Sequence, residues 1–237
     1  MQDSPSDPEI ERKIERWAAS QRDAGITPDL QRRIRKRLGP SLTPVKPIPV
    51  ESWLVLRFLS IFVICAGGLS AVMSKTGFHL MTGTQIGWLG AIIGGASILF
   101  SLTLARQMVP GSRRGLTFPL ALVGSGVSTI GGIALSFPWQ TSGLFVPEGW
   151  SCAVLEVVIA LPAAAIFWLL ARQGALFASP ELGATLLGLA AFLALTPLQV
   201  QCMFQQAPHL LVWHGGTAAV LIGIGAFVGR VRGHTTT

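Results

Sequence analysis

Charge is what this sequence has little of. Of its 237 residues only 12% are Asp, Glu, Lys or Arg, about half the roughly 25% of a soluble globular domain. The deficit is uneven. Residues 1–50 hold ten of the 18 basic and seven of the 11 acidic residues, and the rest of the chain shares eight bases and four acids. Cysteine is scarce too: Cys65, Cys152 and Cys202 are too few for a disulfide framework and lack CxxC spacing. No apolar run precedes Trp53, so no cleavable signal peptide is expected. Enzyme signatures are missing as well: there is no HExxH, P-loop, GxSxG or DxD, and no pair of carboxylates among the basic segments. Together these absences argue against a soluble enzyme, a disulfide scaffold and a disordered chain. No catalytic residue, resident metal or cofactor is expected.

What the sequence does have is apolar length. Half of its residues are hydrophobic, with a mean hydropathy of +0.56. Six windows, at 53–73, 84–104, 116–135, 150–170, 182–198 and 210–228, approach the roughly 20 apolar residues that a spanning helix needs. Their apolar residues run continuously and do not alternate, which predicts helices and not strands. The expected fold is all-α: a polytopic membrane protein with a bundle of six transmembrane helices behind a short N-terminal cytoplasmic helical tail. The chain divides into an amphipathic tail (1–40), a Pro-rich linker (41–51), a six-span membrane domain (52–230) and a C-terminal tail (231–237).

Orientation follows from the bases, which gather on the cytoplasmic side of membrane proteins. With the N-terminus inside, the inner segments hold sixteen Lys and Arg and the outer ones only Lys75. Both termini are then cytoplasmic, and the net charge of +7 marks topology, not nucleic-acid binding. The outer segments, 74–83, 136–149 and 199–209, are too short to fold as domains. Gly83, Gly87, Gly90 and Gly94 in the second span, and Gly124, Ser128 and Gly132 in the third, predict seams of close helix packing. Pro162 predicts a kink in the fourth span.

The tail carries two short amphipathic patterns. In the first, Asp7 and Pro8 provide a helix start and Ile10, Ile14 and Trp17 form a stripe. In the second, Thr27 and Pro28 open a helix on which Leu30, Ile34 and Leu38 are spaced by four, and Gly39–Pro40 ends it. Helices this short cannot bury their own apolar faces. They can pack on each other, lie on the membrane, or dock in a groove of another protein. The run of Arg32, Arg33, Arg35, Lys36 and Arg37 suits anionic lipid or an acidic protein surface.

Within the spans, Arg57 reads as an interfacial anchor and Cys65 as apolar filling. Glu156 and His214 lie at similar depth from the outer side, so a contact between them and two separately hydrated groups are both open. Cys152 and Cys202 face the outer side. They can form a disulfide, join His209 and His214 in a metal or redox-sensing site, or stand as free thiols.

The Pro-rich entry SLTPVKPIP (41–49), the basic turn VPGSRRG (109–115), Cys152 at the head of span four, and Cys202 followed by HLLVWH (209–214) occur in this order and topology. Over about 42–230 the sequence resembles the NrsF-type family, bacterial membrane-embedded negative regulators, or anti-sigma factors, of extracytoplasmic-function sigma factors. The resemblance implies a non-enzymatic regulator of transcription in a stress response. Its cytoplasmic tail would hold a sigma factor, with Ile10, Ile14, Trp17, Leu30, Ile34 and Leu38 docking and Arg33 and Arg37 meeting acidic surface. An envelope signal read at Cys152, Cys202, His209, His214 and Glu156 would release it. The zinc-binding HxxxCxxC helix of many anti-sigma factors is absent from the tail. A small six-helix transporter or channel using Glu156 and His214 is the competing expectation.

Overall fold

Lipid offers no hydrogen bonds to backbone N–H and C=O groups, so an apolar run of this length must satisfy them internally as a helix. A computed structural model describes residues 12, 32, 50–73, 76–109, 117–141, 145–172 and 179–234 of the chain. Helix α1 spans Glu51–Val72, a short α2 Thr76–Leu80, α3 Gly83–Met108, α4 Thr117–Ser136, α5 Phe145–Ala171 and α6 Pro180–Gln201. The last span is composite: α7 (Ala207–His209), a π-helical turn (Leu210–Gly215) and α8 (Gly216–His234). Six of these segments are long and apolar enough to cross a membrane, and no strand occurs among the described residues.

The chain separates into two units, Met1–Pro47 and Ile48–Thr237. Of the first, only Arg12 and Arg32 are described, both helical and exposed. The tail positions expected to bind a partner (Ile10, Ile14, Trp17, Leu30, Arg33, Ile34, Arg37 and Leu38) lie outside the described residues.

In the second unit the helices alternate in direction. At the end where the chain enters, Arg106 Nε donates to Glu51 Oε1 at 2.8 Å, joining the close of α3 to the start of α1. At the far end, Thr82 and Gln85 form a capping box at the start of α3, the reciprocal pairing that a T-x-x-Q sequence encodes. Gln85 also donates from Nε2 to Ser136 O at the close of α4, at 3.0 Å.

Helix α6 is the core. Leu189, Ala190, Ala191, Leu193 and Ala194 are 0–1% exposed, and the helix packs against α1, α3, α5 and α8. A helix apolar all round belongs in the interior. It is five residues longer than its apolar window, two of them at the start, where the Ser179 side chain accepts from Leu182 N and Pro180 sits in the first turn. At its other end Pro197, Gln199 and Gln201 remain helical. Phe100 fits over Gly188, where a methyl group would come within 2.6 Å of its ring, and lies 5.7 Å from Phe192. The other spans turn many large apolar side chains outward, as Val63, Ile64, Val127 and Phe227 show. α5 runs unbroken through Pro162.

The expected glycine seam in α3 is not where the helices meet. Gly83, Gly87, Gly90 and Gly94 have open space where a side chain would sit, and the buried stripe of α3 is Leu89, Ile92, Ala96 and Phe100. In α4 only Gly132 is tightly packed, against Ile92, and Ser128 is exposed. The close seam joins α6 and α8. A methyl group on Gly183 would lie 1.9 Å from Gly225 O, one on Gly225 2.2 Å from Gly183 O, and one on Gly229 2.2 Å from Ser179 O.

This contact predicts a contrast between two glycines. Gly225→Ala should lower the thermal midpoint of the detergent-solubilised chain, since forced overpacking costs about 1–3 kcal/mol. Gly87→Ala, which fills open space, should leave it unchanged or raise it. Equal midpoints for the two variants would show that α6 and α8 do not approach this closely.

Candidate functional site

Four side chains converge at the far end of the bundle, from three separate parts of the chain. Cys152 lies two turns into α5, Cys202 follows the last residue of α6, His209 ends α7 just before the π-turn, and His214 lies within that turn. One ligand atom from each (two Sγ and two imidazole nitrogens) lies within 4.8 Å of every other. Cys202 Sγ and His209 Nε2 are 3.5 Å apart. Cys202, His209 and His214 are buried and Cys152 is half-buried.

Local structure places each group. Cys202 caps α6, its N–H donating to Leu198 O at 2.7 Å. Its carbonyl accepts from Gln205 Nε2 at 2.7 Å and packs against Gly77 of α2, where a methyl group would be 2.2 Å from that oxygen. Thr76 Oγ1 donates to Gln201 O beside it, at 3.1 Å. The loop then returns toward α4 and α5: Ala207 N donates to Pro138 O at 2.9 Å. His209 sits between Phe145 and Phe204, with ring centroids 6.4 and 5.3 Å away.

The π-turn brings the two imidazoles together. Residues five apart diverge by about 140° on an α-helix of 3.6 residues per turn, whereas an i→i+5 turn returns them to the same side. Gly216 N–H donates to Leu211 O, five residues back, and the rings of His209 and His214 lie 5.4 Å apart. Trp213 holds this turn against α5: a methyl group on Gly149 would be 2.0 Å from the indole Nε1. Gly149 thus admits the indole and brings Cys152, one residue short of a turn further on, toward the histidines.

Hydrogen bonding with the Cys152 sulfur, and then burial, push the Cys202 thiol up from its ordinary range. His214 makes no hydrogen bond at either ring nitrogen, although it is 1% exposed. Leaving such a buried polar group without a partner costs about 1–3 kcal/mol. Glu156, one turn below Cys152 on α5, is 0% exposed and both its carboxyl oxygens also lack a partner. The Glu156–His214 hydrogen bond that their depth allowed is therefore not made, and His214 turns to the cysteines. A cavity of about 490 Å³ adjoins the cluster, with Thr76, Ser151, Cys152, Gln201, Cys202 and Met203 in its lining. Both sulfurs are free thiols in the structure. Cys65 is half-buried against the core of α1, consistent with filling.

The sequence pointed to Cys152, Cys202 and His209 from their position beside the outer loops. His214 could be placed with them only loosely, because nothing in the periodicity announces a π-turn. Gly149, Trp213 and Gly77, which set the geometry, were not singled out at all; the pairing of a glycine with a distant indole or carbonyl has no local signature.

Two sulfurs this close should couple under oxidation. In the Cys65→Ser chain, diamide should join Cys152 to Cys202 within one molecule, read by mass spectrometry after alkylation. Gly149→Leu, which displaces Trp213, should slow that coupling several-fold. Coupling only between molecules, or none, would contradict the cluster.

The chain matches the family model of NrsF, described as negative regulator of sigma F, over residues 38–232. No curated protein and no solved structure matches it. The family match takes in all six spans and all four members of the cluster, and the chain therefore belongs to the NrsF family, the negative regulators of sigma F.

Proposed function

We propose that this chain is a membrane-held anti-sigma factor that binds an extracytoplasmic-function sigma factor through residues 1–40 and releases it on an envelope signal. Membership of the NrsF family, over residues 38–232, carries the reading. A family of negative sigma-factor regulators needs a surface that keeps the sigma factor from RNA polymerase, not a reaction centre, and the sequence holds no enzymatic signature.

The family match begins at residue 38, so the binding role of the tail rests on its own chemistry. Its two apolar stripes, Ile10–Ile14–Trp17 and Leu30–Ile34–Leu38, need a partner face. Arg33 and Arg37 beside the second stripe suit an acidic protein surface. The sixteen-to-one division of bases supports a cytoplasmic tail in the bacterial inner membrane. The same orientation puts Cys152, Cys202, His209 and His214 at the envelope side. A signal there can act only if it favours one packing of the helices over another. The transporter alternative asks Glu156 to line a path, and that side chain is fully buried.

A reporter driven by the sigma factor tests the reading in cells carrying the full-length chain. Replacing Leu30 and Ile34 by Glu should release the reporter at unchanged membrane levels of the protein. Losing an apolar anchor at an interface costs about 2 kcal/mol or more, roughly a 30-fold loss of affinity. Repression that survives this double substitution and also deletion of residues 1–40 would remove the tail from the mechanism.

A further inference from the structure

Two thiols and two imidazoles meeting in one buried pocket are a donor set with a defined chemistry. We propose that Cys152, Cys202, His209 and His214 form a four-coordinate site for a divalent, thiolate-preferring cation of the zinc class. The proposal stands apart from the sigma-factor reading, since it concerns what the purified chain binds with no partner present.

Four observations carry it. The first is distance. Tetrahedral coordination with bonds of about 2.0–2.3 Å separates neighbouring ligand atoms by roughly 3.3–3.8 Å, and all four donors already lie within 4.8 Å of one another. Cys202 Sγ and His209 Nε2, at 3.5 Å, stand at the required separation. The second is the orphaned imidazole: His214 is buried among these donors with no hydrogen bond at either nitrogen. Coordination gives that ring the partner it lacks. Third, the π-turn delivers both histidines to one side of the chain, and such turns recur at functional sites. Fourth, there is a way in: the open cavity of about 490 Å³ has Cys152 and Cys202 in its lining. The exposed thioether of Met203 stands on its wall, 60% accessible.

The donors also select the cation. Sulfur and imidazole suit zinc-class and softer metals, whereas magnesium and calcium require oxygen ligands. Binding displaces one proton from each thiol, and two thiolates with two neutral imidazoles around a divalent ion leave no net charge. Neutrality matters here, because the site lies inside the first turns of two membrane-length helices, where uncompensated charge is costly. A monovalent ion in the same shell would leave a charge of −1. With ligands from α5, from the cap of α6, and from α7 with its π-turn, an occupied site ties the far ends of the last three spans together.

Cobalt(II) is a direct probe, because a tetrahedral thiolate site gives it intense visible bands and a sulfur-to-cobalt charge-transfer band. The full-length chain, purified reduced in detergent, should take up one cobalt per molecule with both features and lose them on adding one equivalent of zinc. Cys152→Ser and Cys202→Ser should each remove part of the charge-transfer intensity, and the double variant all of it. His209→Ala and His214→Ala should retain charge transfer but lose the tetrahedral band pattern. Cys65→Ser should behave as the unaltered chain, which also controls for handling of the membrane protein. As a check independent of folding in the variants, zinc should protect Cys152 and Cys202 of the unaltered chain from alkylation. Absence of uptake by the reduced chain, cobalt bound without charge transfer, or alkylation undiminished by zinc would each overturn the site.

Discussion

The contact on which the far end of this protein depends is the backbone-to-backbone approach of α6 and α8. Gly183 and Gly225 face each other so closely that neither position has room for a methyl group, and Gly229 meets Ser179 in the same way. Lipid tails are as apolar as leucine, so helices in a membrane gain little from burying large apolar side chains against one another. Small residues that allow close van der Waals contact do more. Here that contact sets the rotation of α8 about its axis, and therefore the direction from which the π-turn presents its histidines.

Helix α6 consequently links the two ends of the bundle. Gly183 lies near its first turn and Cys202 caps its last, about 28 Å apart at 1.5 Å per residue. Any change in the state of the Cys/His cluster acts on the cap of the most buried span among the described residues. In the proposed orientation the cluster faces the envelope and the chain enters from the cytoplasm, beside the Glu51–Arg106 pair. A regulator needs such an element, one that both an external event and the output side can bias. α6 has the burial and the contacts for that role, whereas α1 and α4 present much of their surface to lipid.

The six spans were legible in the sequence because hydropathy over 20 residues is a property of the run itself and hardly depends on neighbours. Their ends were less so. The fifth window stopped at 198 since Pro197, Gln199 and Gln201 interrupt its hydropathy, yet α6 continues to Gln201 because protein, not lipid, surrounds it. The glycine spacing in α3 is as regular as a packing motif could be, but those residues meet nothing. Periodicity shows which residues share a face and says nothing of whether another helix covers it. Gly183, Gly225 and Gly229, less conspicuous in sequence, carry the close seam. The tail helices were read from caps and stripes, and those residues lie outside the described part of the chain.

By itself, the sequence determined the class, an all-helical membrane bundle of six spans, and the asymmetry of charge that goes with it. Both follow from local composition. It also placed Cys152 and Cys202 near one end of the bundle, since alternating spans leave no other arrangement. What only the tertiary structure decided is that these sulfurs meet both histidines. That meeting requires a five-residue turn where 3.6-residue periodicity was expected, a glycine on α5 that admits a distant indole, and a glycine on α2 that admits the carbonyl of Cys202. Each is a contact between residues far apart in the chain, and no window of sequence contains both partners.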